Sequence, residues 1–249
     1  MTEPVFIAGL RITPLSLTEA VDAFLSDAEK GNPRVYAFVN GQSASLRRAD
    51  NDYSRALDDP RTLGLVDGAA VEIAGRLRGL KSIERCPGPD FFASAAAAAQ
   101  SSGVSFFLLG GKDGVADQVA ERLVSENPGL RIAGTLCPPF GEWDEQTSAG
   151  FVAAVLESGA QALWLGVSAP KQEVWATQYA QRLGIPTACV GAAFDFIAGT
   201  VPRAPKWMRS ARLEWLFRLG SEPRRLWRRY LVGNTVFIID FIRFGARKA

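Results

Sequence analysis

The chain has no histidine among its 249 residues. That absence excludes Ser-His-Asp and Cys-His nucleophilic catalysis and the common His-based metal sites. Cysteine is scarce as well. Cys86, Cys137 and Cys189 are an odd number without metal-ligand spacing, so they read as reduced thiols and not as a disulfide frame or zinc site. No run approaches the roughly 20 uninterrupted apolar residues of a spanning helix. The opening Met1-Thr2-Glu3-Pro4 lacks the basic stretch of a secretory signal, so the expected location is cytoplasmic. Hydrophobic residues make up 47% and charged residues 22%, which fits a folded α/β protein and excludes a disordered one.

What is present is unevenly spread. The net charge is only +2, yet from Thr200 to Ala249 there are twelve basic residues and three acidic ones. The rest of the chain is therefore acidic. A basic tail on an acidic body implies a polyanion for the tail: anionic lipid, phosphate groups or nucleic acid.

Along the chain, Val5–Ile12 reads as a short strand pair, and Ser16-Leu17-Thr18-Glu19 is a capping-box pattern opening a helix with Ala20, Val21, Phe24 and Leu25 on one stripe. Val35–Val39, Val104–Leu109, Ala162–Val167 and Thr187–Val190 are strand candidates. Helical patterns lie at Phe91–Gln100, Gly114–Glu126, Thr147–Glu157 and Lys171–Leu183. This alternation predicts an α/β fold, a Rossmann-like and largely parallel sheet with helices on both faces. Such sheets bind ligands beyond the carboxyl ends of their strands. Composition changes near Val201-Pro202, which predicts a core over residues 1–200 and a basic, aromatic, helical appendage over 201–249.

Four constellations carry chemistry. Leu109-Gly110-Gly111-Lys112-Asp113-Gly114 is a strand-turn-helix passage whose glycines could let backbone N–H groups meet a phosphate, or could simply make the turn. Asp67 in Val66-Asp67-Gly68 is a carboxylate in an apolar setting. That suits a general base, because burial raises its proton affinity, and it equally suits a helix cap. Gly166–Trp175 contains Pro170-Lys171-Gln172-Glu173, where Pro170 opens a helix whose first turn presents Lys171 and Gln172 to a polar ligand. The fourth runs from Gly191 to Tyr230. Its Arg218, Arg225 and Arg228 share a helical face unless Pro223 resets the phase, and its interleaved tryptophans suit a phosphate beside an apolar chain.

These elements, in this order from about Val35 to Asn234, resemble the bacterial WecG/TagA/CpsF family of glycosyltransferases. The resemblance implies an inverting, metal-independent transfer without a cofactor. It implies a UDP-sugar donor and a polyprenyl-diphosphate-linked sugar acceptor at the inner membrane leaflet. The donor sugar it implies is of N-acetylmannosamine, its uronate, or hexose type. Asp67 matches the family's general base, Asn40 and Gln172 its pocket amides, and Arg85 an arginine for the diphosphate or acceptor. Arg218, Arg225 and Arg228 match appendage arginines that meet diphosphate. Its implied partners include an anionic membrane surface and exclude nucleic acid; a homo-oligomer is compatible with it. Phe38 departs from the threonine common in the family, and Ala70 from a common glycine, which bears on the sugar and less on catalysis. The tail residues Trp227, Leu231, Val236, Phe237 and Phe241 are expected at the membrane interface.

Two other functions fit the pattern more loosely. A nucleotide-dependent oxidoreductase would use the sheet and glycine turn, but the full dinucleotide fingerprint is missing. A non-catalytic membrane adaptor would use the basic tail and leave Asp67 and Gln172 without a purpose. With arginine in the role a metal would play at the leaving diphosphate, transfer should survive exhaustive EDTA treatment. A strict requirement for added magnesium or manganese in the transfer assay would overturn this.

Overall fold

Turn and cap chemistry sets the amino-terminal elements. Strands β1 (Val5–Ile7) and β2 (Leu10–Ile12) pair antiparallel around Ala8 and Gly9, both at positive φ (52° and 76°). A two-residue hairpin whose twist matches its strands needs that geometry. Ser16 and Glu19 form the expected reciprocal cap, and α1 (Leu17–Lys30) stops at Gly31 in the left-handed conformation. The computed structural model describes residues 3–248, without the side chains of Arg225, Arg229 and Lys248. The expectations placed on Met1-Thr2 and on the Arg225 guanidinium thus fall outside the described residues.

The chain continues through β3 (Val35–Val39), α2 (Gly41–Ala49), α3 (Asn51–Asp58), β4 (Thr62–Val66), α4 (Ala69–Leu77) and α5 (Gly88–Ser102). Then come β5 (Ser105–Gly110), α6 (Val115–Glu126), β6 (Arg131–Leu136), α7 (Glu145–Glu157), β7 (Ala162–Gly166), α8 (Lys171–Leu183) and β8 (Thr187–Cys189). Six of these strands form one parallel sheet in the order β4-β3-β8-β7-β5-β6. Successive side chains leave a strand on opposite faces. Phe106, Leu108 and Trp164 accordingly enter a cluster with α1 and α5, whereas Phe107, Leu109, Leu163 and Leu165 enter another with α7 and α8. At the centre of the first cluster, Phe92 stacks on Trp164 with ring centroids 3.8 Å apart. The fold is α/β with a parallel sheet covered on both faces.

The remaining elements are α9 (Ala193–Ala198), α10 (Lys206–Ser210), α11 (Glu214–Ser221), α12 (Pro223–Phe244) and β9 (Ala246–Lys248). They are not a loose extension. Helix α12 lies along α2 so closely that a Cβ on Gly233 would fall 3.0 Å from the Gln42 Cα. Leu226, Phe237 and Asp240 are buried there, Arg48 pairs with Asp240, and β9 pairs antiparallel with β1. Burying Leu226 and Phe237 contributes on the order of 1.5–3 kcal/mol each. Ion pairs add a second seam: Arg212 to Glu72 (2.8 and 3.0 Å) and Arg203 to Asp90 (2.7 and 2.9 Å), both bidentate.

Two expectations for the tail need correction. Phe237 is buried against α2, and Val236 and Phe241 are packed in the same cluster, so none of the three is free to enter a membrane interface. Pro223 does reset the phase: α11 ends at Ser221 and α12 restarts at Pro223, so Arg218 shares no helix with Arg225 and Arg228.

Strand β4 contains Gly64, where an added Cβ would lie 2.3 Å from the Arg11 carbonyl oxygen of β2. Gly64→Ala should therefore lower stability by about 1–3 kcal/mol through overpacking. The urea midpoint would report this; an unchanged midpoint would show that β2 yields freely.

Candidate active site

Parallel pairing of β3 and β4 sets Val39 opposite Val66, so the next residues, Asn40 and Asp67, leave the sheet's carboxyl edge side by side. The Val39 carbonyl accepts from Asp67 N (2.9 Å), tying the two exits together. A Cβ on Gly68 would fall 2.7 Å from the Asn40 Cβ, so the Asp-Gly step is what lets the strands end so close. Asn40 then caps α2, its Oδ1 accepting from Gln42 N (3.0 Å), while its Nδ2 donates to Asp67 Oδ2 (3.4 Å). Asp67 itself caps nothing: the N-cap of α4 is Gly68, without a side-chain cap bond.

Asp67 is half-buried and lines a cavity of about 690 Å³. Burial holds its proton affinity above the ordinary carboxylate range, and the nearby Glu214 charge adds to that. The Asn40 hydrogen bond and the charges of Arg85 and Arg218 pull the other way without reversing it. Arg85 Nε donates to the Asp67 carbonyl (3.2 Å), and Arg85 Nη2 lies 3.9 Å from Glu214.

The floor of the cavity comes from the carboxyl ends of β3, β4, β7 and β8, and the roof from α11 and α12, through Trp215, Arg218, Tyr230 and Asn234. Gln172, only 5% exposed, faces it from α8. Its Nε2 donates to Glu173 Oε1 (2.8 Å) and to the Cys189 carbonyl (3.0 Å). Its Oε1 has no hydrogen-bond partner among the described residues. The amide is therefore oriented to accept from a ligand O–H or N–H. Phe38 also lines the wall and packs on Phe91, 5.2 Å between centroids.

The structure thus brings Asn40, Asp67, Arg85, Gln172 and Arg218 to one cavity. Gly110, Gly111 and Arg228 lie elsewhere. Gly110 and Gly111 end β5, outside the lining. An added Cβ on Gly110 would sit 2.5 Å from Gly166 Cα, and Gly111 has φ of 75°, so packing accounts for both. Arg228 is exposed, its guanidinium 5.9 Å from the Trp227 ring, and outside the lining. Lys171 turns to the Trp143 ring (3.5 Å) and the Gly141 carbonyl, also outside the lining.

Sequence reasoning missed Glu214, Arg212 and Tyr230 as wall residues. Glu214 stood inside the Leu213-Glu214-Trp215 block and was not singled out. It also passed over one Asp-x-Asp spelling, Asp50-Asn51-Asp52. There Asp50 caps α3, accepting from Asp52 N (2.9 Å) and Tyr53 N (3.0 Å), and Asp52 pairs with Arg55. Among the described residues no group of three or more acidic or cysteine side chains could hold a metal ion.

A family model, Glycosyl transferase WecG/TagA/CpsF family, matches residues 5–249. The chain belongs to this glycosyltransferase family. It is also similar to an N-acetylglucosaminyldiphosphoundecaprenol N-acetyl-beta-D-mannosaminyltransferase of Bacillus subtilis (strain 168). The two are 30% identical over 200 residues, which cover 79% of this chain and 75% of the relative. This glycosyltransferase therefore carries its family's match through the tail as well as the sheet.

Replacing Asp67 by Asn keeps the shape and removes the carboxylate, which tests the expected role of general base. Turnover should fall by roughly 10²–10⁴ with donor binding retained. Stability should move the opposite way. Because the folded state holds the Asp67 proton more tightly than the unfolded chain does, its contribution is fully present at acid pH and is lost as pH rises through the raised folded-state value. Asp67→Asn should then melt higher than wild type at neutral pH, with the gap closing toward pH values below the ordinary carboxylate range. Near wild-type turnover, or a lower melting point at neutral pH, would remove Asp67 from this role.

Proposed function

We propose that this glycosyltransferase moves a sugar from a UDP-sugar to a sugar already linked through diphosphate to a polyprenol, with inversion at the anomeric carbon. The observation that carries the reading is Asp67: a carboxylate of raised proton affinity at the sheet edge, facing a cavity with Arg85 and Arg218 on its walls. Asp67 takes the proton of the acceptor hydroxyl as that oxygen attacks the anomeric carbon. The bond to UDP breaks on the opposite face, and the departing diphosphate is met by guanidinium charge. Gln172 accepts from an O–H or N–H of the bound sugar. N-acetylmannosamine is the favoured donor sugar, on the strength of the Bacillus subtilis relative's activity. The pathway class is cell-surface polysaccharide or teichoic acid synthesis.

The same reading makes the enzyme a peripheral protein of the inner leaflet, the side where its nucleotide-sugar donor is made. No helix among the described residues is long and apolar enough to cross a membrane. Trp227, Leu231, Ile238 and Ile242 are exposed along one stripe of α12, with Arg224, Arg228 and Arg243 exposed on the same helix. Such a stripe can lie in the headgroup region, where each basic residue near the surface contributes about 1 kcal/mol. The boundary near residue 200 then separates a catalytic sheet from a roof that also meets the membrane. The oxidoreductase reading loses its main support, since the glycine turn after β5 lies outside the cavity.

The test is a UDP-sugar panel with a short-chain prenyl-diphosphate N-acetylglucosamine acceptor, run beside cosedimentation with anionic vesicles. Transfer from UDP-N-acetylmannosamine is expected to be the fastest. Leu231→Asp with Ile242→Asp should abolish cosedimentation and leave transfer to the soluble acceptor intact, and high ionic strength should release the wild type. No transfer from any UDP-sugar would sink the catalytic reading, and unchanged cosedimentation of the double variant would sink the membrane one.

A further inference from the structure

A second cleft, about 400 Å³, opens beside the main cavity. Arg85, Pro87 and Glu214 line both, so the two spaces share a wall. The second is completed by Asp90 of α5 and by Lys206 and Arg209 of α10. Nothing in the chemistry assigned so far uses Lys206 or Arg209.

The charges in this cleft do not balance. Asp90 accepts both terminal nitrogens of Arg203 (2.7 and 2.9 Å), and Glu214 accepts from Arg203 Nε (3.3 Å). One guanidinium thus serves both carboxylates. Arg85 reaches Glu214 only at 3.9 Å, and Arg209 reaches Asp90 only at 3.3 Å. Arg209 Nε is buried with no hydrogen-bond partner among the described residues. Lys206 is exposed and makes no ion pair among them. A buried guanidinium N–H without an acceptor is costly. With Arg85, Lys206 and Arg209 against Asp90 and Glu214, the lining carries more cations than carboxylates, a balance suited to an anion with several acceptor oxygens. Trp207, the residue after Lys206 on α10, is exposed as well.

We infer that this cleft is the subsite for the diphosphate of the lipid-linked acceptor, held by Lys206 and Arg209. The inference rests on the proposal that the enzyme transfers sugar to such an acceptor. The shared wall at Arg85 gives the connection: an acceptor whose diphosphate occupies the cleft extends its sugar past Arg85 toward Asp67. Donor and acceptor diphosphates then use different cations, Arg218 in the main cavity and Lys206 with Arg209 in the cleft. Each can bind without displacing the other, as direct displacement requires.

The test uses the full chain, without vesicles, and titrates two probes separately by calorimetry: UDP, and a water-soluble short-chain prenyl-diphosphate N-acetylglucosamine. Lys206 is exposed and without an ion pair among the described residues, so Lys206→Glu should fold normally, and Arg209→Gln serves as the second variant. Both should weaken the lipid probe by at least about tenfold while UDP affinity stays within about twofold, and Lys206→Arg should restore the probe. Equal loss of UDP affinity would assign the cleft to the donor and overturn the inference. Unchanged affinity for both probes would also overturn it. So would inorganic pyrophosphate binding as tightly as the lipid probe, since that describes a general anion site. If the wild type binds the lipid probe in a Lys206-dependent way but transfers no sugar to it, the subsite stands and the transfer reading is the one that fails.

Discussion

The parallel pairing of β3 with β4 is the constraint on which the site depends. Because Val39 and Val66 are opposite one another, Asn40 and Asp67 emerge as neighbours, and a shift of one residue would turn one of them to the wrong face of the sheet. Everything else about Asp67 follows from that position. It lies deep enough for burial to hold its proton, close enough to Asn40 to be oriented, and is relieved of capping duty by Gly68. The register is secured from both sides by apolar clusters, so the geometry of Asp67 is a product of the core.

The charge asymmetry of the chain has a partly internal answer. Read along the sequence, a basic tail and an acidic body point to an external polyanion. In the folded protein Arg203, Arg209 and Arg212 are turned onto Asp90 and Glu72 of the body, and Arg48 of the body onto Asp240 of the tail. These pairs position the roof over the cavity. Pairs of this kind contribute little stability when exposed, and their value here is in fixing where α10 and α11 sit. Among the described residues Arg218 lines the cavity, and Lys206 lines the cleft without an ion pair.

Much of this was legible in the sequence, and the failures have physical causes. The capping box at Ser16, the strand pair before it and four central strands were visible because buried parallel strands read as continuous apolar runs. Strand β4 was not, because Gly64 interrupts Thr62–Val66 where β2 crosses it closely. Strand β6 was not, because Arg131–Leu136 sits at the sheet edge with no fully buried residue. Asp67, Asn40, Arg85 and Gln172 stood out through short motifs. The glycines after β5 stood out as well, and their reason is a close approach to β7 and to Val115. Glu214 was invisible, since nothing local marks a carboxylate whose neighbours are Arg203 and Arg85, respectively eleven and more than a hundred residues away.

The antiparallel pairing of β9 with β1 joins the two most distant stretches of the described chain, Val5 with Lys248. Contacts of such sequence separation form late, since the loop entropy must be overcome first. During synthesis the sheet, with Asp67 at its edge, can assemble well before α11 and α12 exist to roof it. Until then the cavity has only its floor. The completed tail therefore closes the site last: Asp67 is enclosed only when α11 and α12 have settled over the sheet edge.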